Sequence, residues 1–540
     1  TLGAGEDDIS KIKSYLEEAL PEHMIPSYIK VLDQLPTNQS GKVDIKALPA
    51  IDTDRRQVKT HYIAAQNTLH QKLISIWQQV LQVDRIGILD DFFALGGDSL
   101  AVSEVMLWIK KTMGIALPMY QLFMSPTIAY LAELIEDASI KSNDNQAIAS
   151  FIQDSHLRAD LKEVKMLEKA KTVKNIFLTG VTGFIGAYIL QQLTQEEDVV
   201  VYCLVRGASA KECRTRILKN LLQYNIFVDP HKFVAIPGDL TESMLGLAPQ
   251  AFEELSRLID VIYHNGALVH HLYNYQALKS SNVDGTRAVI DLAMLHKLKP
   301  VHFISTISAV ASYDAQGRLA ESFPQAQPER LLKNGYGQTK WTAERLLSQA
   351  KEQGLEVSIY RLGWITGESQ KGYFPRRPDH NLQLIKGCIQ LGYAPSWSTE
   401  VYMTPVDVAA KMIVEFSKYT TNEVFNIISD SSMKWRDLIS WVNENYYPVN
   451  MIAPSLWHDR YLVQLNRHNA IFSLLPLYLH NEDINHMLTQ KEIDHLATDK
   501  SKALAKKLGI GHVPLNERLL DRYFSYLQKQ AFLSSLSRVV

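Results

Sequence analysis

Residues 175–193 read NIFLTGVTGFIGAYILQQL: an apolar run, a glycine-rich turn, then a helical run. Gly180, Gly183 and Gly186 fall at GxxGxxG spacing. In a strand–turn–helix setting the first glycine permits the tight turn, the second lets the backbone approach a pyrophosphate, and the third lets helix and strand pack closely. The spacing alone is weak; between a strand and a helix that open a βαβ unit it points to a dinucleotide site. From about residue 173 further apolar runs follow: VVVYCLVR, FVAIPGDL, VIYHNGA, VHFIST, VSIYRLG and VFNIIS, each separated by helical sequence. This alternation predicts a doubly wound parallel α/β sheet of the Rossmann type over 173–540. Beyond about 430 the chain reads as mostly helical and aromatic, so a mainly helical C-terminal substrate or lid subdomain is expected over about 370–540.

The second strand ends CLVRGAS. A site for NAD would place an acid there, on the ribose hydroxyl. Arg206 stands in that place, and a guanidinium suits the 2′-phosphate of NADP. Arg216, in the charged run KECRTRILKN, is either a second contact or a solvated helix face. Asp239, in GDL, and the turn Asn265-Gly266-Ala267 end the third and fourth strands, where adenine and ribose contacts are expected. In NGYGQTKWTAE, Tyr336 and Lys340 stand four apart at a helix start and share a face. The expectation is that the ammonium lowers the phenol pKa and holds the nicotinamide ribose, while Tyr336 donates a proton to an oxygen gaining charge. Thr306 ends the fifth strand and can bond the same oxygen.

Upstream, DDFFALGGDSL (90–100) places Ser99 after two glycines and Asp98, a candidate helix cap. A hydroxyl at a helix N-terminus favours a phosphate. Residues 64–137 predict a four-helix bundle, with Leu69, Leu73, Trp77, Val80 and Leu81 on the core face of its first helix. Residues 51–63 and 138–172 read as linkers, and the turn PTNQSGK projects Lys42 from the segment 1–50.

The 540 residues carry a net charge of −2, with 46% hydrophobic and 21% charged residues, which argues against nucleic-acid or anionic-membrane partners. Cys203, Cys213 and Cys388 show no paired spacing, and no apolar run approaches the ~20 residues of a membrane span. The acidic start TLGAGEDDIS is not a signal peptide, so a cytoplasmic fragment of a longer protein is expected. His264, His270 and His271 lack a completing Cys or acid, so no metal is expected. Trp364, Tyr373, Phe374 and Trp397 line a substrate pocket or pack as core.

Several of these stretches resemble known families. FFALGGDSL is similar to the attachment site of peptidyl carrier proteins, which implies 4′-phosphopantetheine on Ser99, added by a phosphopantetheinyl transferase. PTNQSGKVDIKALP resembles the end of the small α+β lobe of nonribosomal peptide synthetase adenylation domains. Ile45 replaces the usual arginine, and the large lobe is absent, so activation of an acid is not expected. TGVTGFIG, CLVR, GDL, YHNGA, STIS, GYGQTKW and YRLGWITG occur in the order found in extended short-chain dehydrogenases/reductases. Within them, the match is to terminal thioester reductases of nonribosomal peptide synthetases, carboxylic acid reductases and aminoadipate reductases. The resemblance implies a triad of Thr306, Tyr336 and Lys340. It also implies NADPH contacts at Gly180, Thr182, Gly183, Phe184, Ile185, Arg206, Asp239 and Leu240. Ala309 replaces a valine of the family pattern, and Asn282 is expected to support the triad through water. The implied activity is reductive release of a carrier-bound acyl or peptidyl thioester as an aldehyde, or further as an alcohol, with upstream adenylation and condensation domains as partners. Alternatives are a carboxylic acid or aminoadipate reductase fragment, a Dieckmann-type release domain without redox chemistry, and a docking module.

Overall fold

The computed structural model describes residues 62–136, 151–157 and 173–534, except 98, 116, 118–120, 123–124, 271–272, 329–331, 333, 463–464, 466–467, 476–477 and 479–494; residues 32 and 36 are also described. The lobe expected at 1–50, including Lys42 and Ile45, therefore lies outside the described residues except at positions 32 and 36, and Asp98 and His271 lie outside them as well. The chain divides into two compact units: Thr1–Asn143 with Leu462–Glu482, and Asp144–Tyr461 with Asp483–Val540.

In the first unit the helices are α1 (Thr68–Leu81), α2 (Ser99–Met113) and α3 (Ile128–Glu136). Residues 121–122 are also helical, so the expected fourth helix is described only in part. Asn67 caps α1 by accepting from the His70 N–H. The stripe that α1 buries is His70, Leu73, Ile76 and Trp77. Leu69, Val80 and Leu81 are only partly buried, so the core face is turned toward Ile76 relative to the sequence expectation. Trp77 meets Phe92 edge-on at 4.8 Å, and Val102, Val105 and Ile109 of α2 close the core. The short turn Phe472–Leu474, inside the expected reductase span, packs on α2 in this unit.

The second unit is built on seven parallel strands: β1 (Asn175–Thr179), β2 (Val200–Val205), β3 (Phe233–Pro237), β4 (Val261–His264), β5 (Val301–Thr306), β6 (Val357–Leu362) and β7 (Val424–Ile427). Their order is β7-β6-β5-β4-β1-β2-β3. The direction of winding reverses between β1 and β4, and ligands of open α/β sheets bind beyond the strand ends at such a switch point. Helices α4 (Phe184–Leu193), α5 (Ala210–Gln223) and, later, Val406–Tyr419 cover one face. Helices α6 (Pro249–Leu258), α7 (Gly285–Met294) and α8 (Gly335–Glu352) cover the other. Both faces being covered explains why β4, β5 and β6 are buried at every position rather than alternating. The C-terminal part carries short strand pairs, Ser432–Lys434 with Glu400–Tyr402 and Asn450–Ile452 with Tyr393–Pro395, so it is more mixed than expected.

Residues 151–157, inside the expected linker 138–172, are not a free tether. They begin with a helical turn. Phe151 is 1% exposed and meets Trp341 of α8 edge-on at 5.4 Å. Asp154 accepts from the Tyr275 hydroxyl and from Lys279, each at 2.9 Å, and Gln349 of α8 accepts from the Leu157 N–H. The composition reads as linker because only a few apolar residues are needed when polar side chains supply the remaining anchors.

Candidate active site

The nucleotide turn is set by backbone geometry. Gly180 has φ +73°, a region that L side chains rarely adopt. A Cβ on Gly186 would lie 2.1 Å from the Gly180 carbonyl oxygen, so only glycine lets α4 close on the turn. Gly183 caps α4 without a side-chain hydrogen bond, and Gly183 and Thr182 are exposed. The first N–H groups of α4 are thus presented toward solvent, as a pyrophosphate requires. Phe184 is partly buried and packs with Tyr188 and Tyr224, and Ile185 is also partly buried.

Around this turn the other expected positions gather. The Asn265 amide donates to the Gly180 carbonyl (3.1 Å). Leu240 packs beneath Gly266, where a Cβ would meet its Cδ1 at 2.5 Å. Asp239 accepts from the Thr241 N–H and hydroxyl, and Ala267 is partly buried beyond β4. Arg206 is exposed just past β2, and the Arg216 guanidinium of α5 donates to its carbonyl, which brings Arg216 to the same strand end. The cradle fits a dinucleotide.

A hydrogen-bond chain missed from sequence runs behind the turn. The Gly266 N–H donates to Thr179 Oγ1 (2.8 Å), and Thr179 is 2.8 Å from His264 Nδ1. His264 Nε2 is 3.1 Å from Thr286 Oγ1, whose hydroxyl donates to the Asn282 carbonyl (2.7 Å). These directions require Nδ1 to accept and Nε2–H to donate. Burial, then the nearby Lys340 charge, pushes the His264 pKa down to about 3, so the ring is neutral. His264 is thus a structural link between β1, β4 and α7.

Asn282 lies in a π-helical turn, Ser280–Asp284. Its side chain accepts from the Leu268 N–H (2.7 Å) and donates to the Leu268 carbonyl and to Thr339 Oγ1 (3.1 Å). Thr339 in turn donates to the Tyr336 carbonyl (2.9 Å). Support of the Tyr336 turn by Asn282 therefore runs through Thr339 directly.

Asn334 caps α8 by accepting from the Gly337 N–H (2.6 Å). Gly337 has a second role: a Cβ there would lie 2.8 Å from the Ser308 carbonyl. The Tyr336 turn of α8 therefore lies against the turn that follows Thr306. Thr306 ends β5 and accepts from the Ser308 N–H (3.2 Å). Lys340 is buried; its Nζ donates to the Ile304 carbonyl (2.7 Å) and sits 3.8 Å from the Phe303 ring centre. Burial pushes its pKa down to about 7, with Glu344 opposing. The expectation that the ammonium lowers the phenol pKa is not met. Burial raises Tyr336, and the Lys340 ammonium is directed to a backbone carbonyl. Burial therefore holds the phenol in its protonated form.

Ser99 opens α2, the position expected of it. Before it, Gly96 has φ +94°, and a Cβ on Gly97 would lie 2.3 Å from the Phe92 ring. Of the four aromatics, Trp364 and Phe374 line one apolar cavity with Leu382, Met403 and Tyr523. Tyr373 packs on Tyr526, and Trp397 on Trp435 and Trp457. The three cysteines are buried free thiols. Among the described residues no group of three His, Cys, Asp or Glu could hold a metal, and no helix is long and apolar enough to cross a membrane.

Sheet order, glycine turn and Tyr-Lys helix define a reductase of the extended short-chain dehydrogenase/reductase type, preceded by a carrier domain. Residues 178–413 match the NAD-binding family described as Male sterility protein, and residues 71–135 match the phosphopantetheine attachment site family. A linear gramicidin synthase polypeptide of Brevibacillus parabrevis is 35% identical over 83% of this chain and 9% of its own length. The L-2-aminoadipate reductase of Eremothecium gossypii, in its large subunit, is 28% identical over 97% of this chain and 41% of its own length. The terminal R domain of the myxalamid PKS-NRPS pathway superposes with a TM-score of 0.66 at 29% identity, covering 72% of this chain and 99% of that one. The chain thus spans less than half of either curated relative. It resembles these relatives in carrying a phosphopantetheine attachment domain followed by an NAD-binding reductase domain.

Proposed function

We propose that this chain reductively releases an acyl or peptidyl thioester carried on its own Ser99, as the last step of a nonribosomal peptide assembly line. The observation that carries the reading is the close approach at Gly337, which sets the Tyr336 turn against the Thr306 turn at the switch-point end of the sheet. Ser99 would hold phosphopantetheine, whose thiol presents the acyl group as a thioester. The turn Gly180–Ile185, with Asp239, Leu240 and Asn265–Ala267, would hold the dinucleotide, and Arg206 and Arg216 would take the 2′-phosphate of NADPH. When bound, that cofactor supplies a hydride.

Thr306 hydrogen-bonds the thioester carbonyl oxygen and stabilises the negative charge that builds on it. Tyr336 gives that oxygen its phenolic proton. Lys340, four residues on, orients the cofactor ribose. Loss of the carrier thiol from the resulting hemithioacetal leaves an aldehyde, the product unless a second NADPH reduces it to an alcohol. Partners are upstream adenylation and condensation domains and a phosphopantetheinyl transferase, with no membrane partner. The compartment is the cytoplasm, where the three buried thiols stay reduced.

The test is to load Ser99 enzymatically with an acyl-phosphopantetheine, add NADPH and identify products by mass spectrometry. Ser99→Ala and Tyr336→Phe each abolish release; a Tyr336→Phe chain consuming NADPH at the normal rate overturns the proton-donor assignment. A second reading, an aminoadipate reductase fragment, is favoured by the match to that enzyme over 97% of this chain. It predicts that an α-aminoadipoyl thioester is reduced faster than peptidyl thioesters.

A further inference from the structure

A buried ion pair beside the proposed triad has no part in the chemistry above. Glu344 of α8 and Arg361 of β6 are both fully buried. The Arg361 guanidinium donates to both carboxylate oxygens, from Nε at 3.0 and 3.1 Å and from Nη2 at 2.6 Å. Its other donors go to the carbonyls of Ala320 (3.0 Å) and Ser322 (3.1 Å). The carboxylate also accepts from the Ser305 hydroxyl at 2.5 Å. Ser305 precedes Thr306, and Ser305 and Arg361 are register partners across β5 and β6. Glu344 stands one helical turn after Lys340, which stands one turn after Tyr336.

We propose that Glu344 is a positioning residue for reduction: one carboxylate ties the end of the strand bearing Thr306 to the helix bearing Tyr336 and Lys340. A fully desolvated pair is costly to build against a hydrophobic alternative, so its stability contribution alone is a weak reason for its presence. Its placement gives it a use. Serine-to-carboxylate and arginine-to-carboxylate bonds are short and charge-assisted, so they hold two elements that must stay in fixed register within a fraction of an ångström. The same carboxylate is also the negative charge that acts on Lys340 from α8. The other titratable group acting on Lys340 is His264 of β4, which is neutral. Glu344 therefore favours the protonated ammonium that burial disfavours.

This inference rests on the triad reading of the preceding subsection, and the experiment separates the two. In the full chain loaded at Ser99, single-turnover NADPH oxidation is followed against pH for wild type, Ser305→Ala, Glu344→Gln and Tyr336→Phe. Ser305→Ala cuts only the tie to the strand. It is expected to slow the chemical step about tenfold or more with NADPH affinity and melting temperature near wild type, since small misplacements of reacting groups carry such penalties. Glu344→Gln is expected to slow it further and to move the high-pH limb, where Lys340 loses its proton, to lower pH. If Glu344→Gln does not fold, Ser305→Ala decides. A Ser305→Ala chain reacting at the wild-type rate overturns the inference, as does a folded Glu344→Gln chain with an unmoved limb. An active Tyr336→Phe chain overturns the triad reading itself.

Discussion

Replacing Gly186 by alanine tests whether the nucleotide turn depends on closeness of backbone to backbone. The added Cβ would sit 2.1 Å from the Gly180 carbonyl oxygen, 2.8 Å from its carbon and 2.9 Å from Val181 Cα. All three are main-chain atoms, so no rotamer change relieves the contact. Ordinary contact needs more than an ångström of extra room, so α4 must slide off the turn that follows β1. Overpacking of this kind costs about 1–3 kcal/mol, and the better helix propensity of alanine recovers up to about 1 kcal/mol of it. The net effect on stability is then about 1–2 kcal/mol, a few degrees in Tm for a domain of this size. The effect on dinucleotide affinity should be larger, at least about tenfold for each 1.4 kcal/mol lost at the displaced N–H groups. Thermal melting and NADPH fluorescence titration measure the two. Gly511→Ala is the control: it has nothing within 4 Å and no positive φ, so both readouts should stay at wild type. Wild-type NADPH affinity in Gly186→Ala would refute the argument that this contact sets the turn.

Arg206→Ala should weaken NADPH by about tenfold or more and leave NADH nearly unaffected, because only the former has a 2′-phosphate to lose; equal losses in Kd for both would sink that assignment. His264 and His302 are buried and each pushed down to about 3 by burial, so between about pH 3 and 6.5 the unfolded chain binds protons that the folded chain refuses. Stability should therefore rise with pH across that window and fall as pH drops through it; urea denaturation of the reductase at pH 4.5 and 7.0 showing equal midpoints would contradict it. Asp154→Ala removes the acceptor of Tyr275 and Lys279 and should expose residues 151–157 to limited proteolysis, while leaving the NADPH Kd unchanged.

What was legible in the sequence was whatever is local. The GxxGxxG turn, each strand run and the Tyr336–Lys340 spacing are each contained in one short stretch of chain, so period and spacing reveal them. Contacts set by strand order were not legible. Nothing local joins Thr179 to His264 and Thr286; that link exists only because the sheet order sets β4 beside β1. Glu344 was visible one turn beyond Lys340, yet its partners Ser305 and Arg361 depend on the β5–β6 register. The direction of the Tyr336 shift was also missed, because charge spacing along a helix says nothing about how deeply the helix start is buried. In the carrier, Ile76 rather than Val80 completes the core stripe, since Phe92 and α2 decide which side of α1 is covered.

Anchoring of residues 151–157 by Trp341, Tyr275, Lys279 and Gln349 takes them out of the expected linker 138–172. Between Glu136, the last residue of α3, and Phe151 there remain only residues 137–150. Even at full extension such a length of chain spans no more than about 50 Å. If Ser99 carries the acyl group, as proposed, its reduction within the same chain is a first-order event whose rate does not change on dilution.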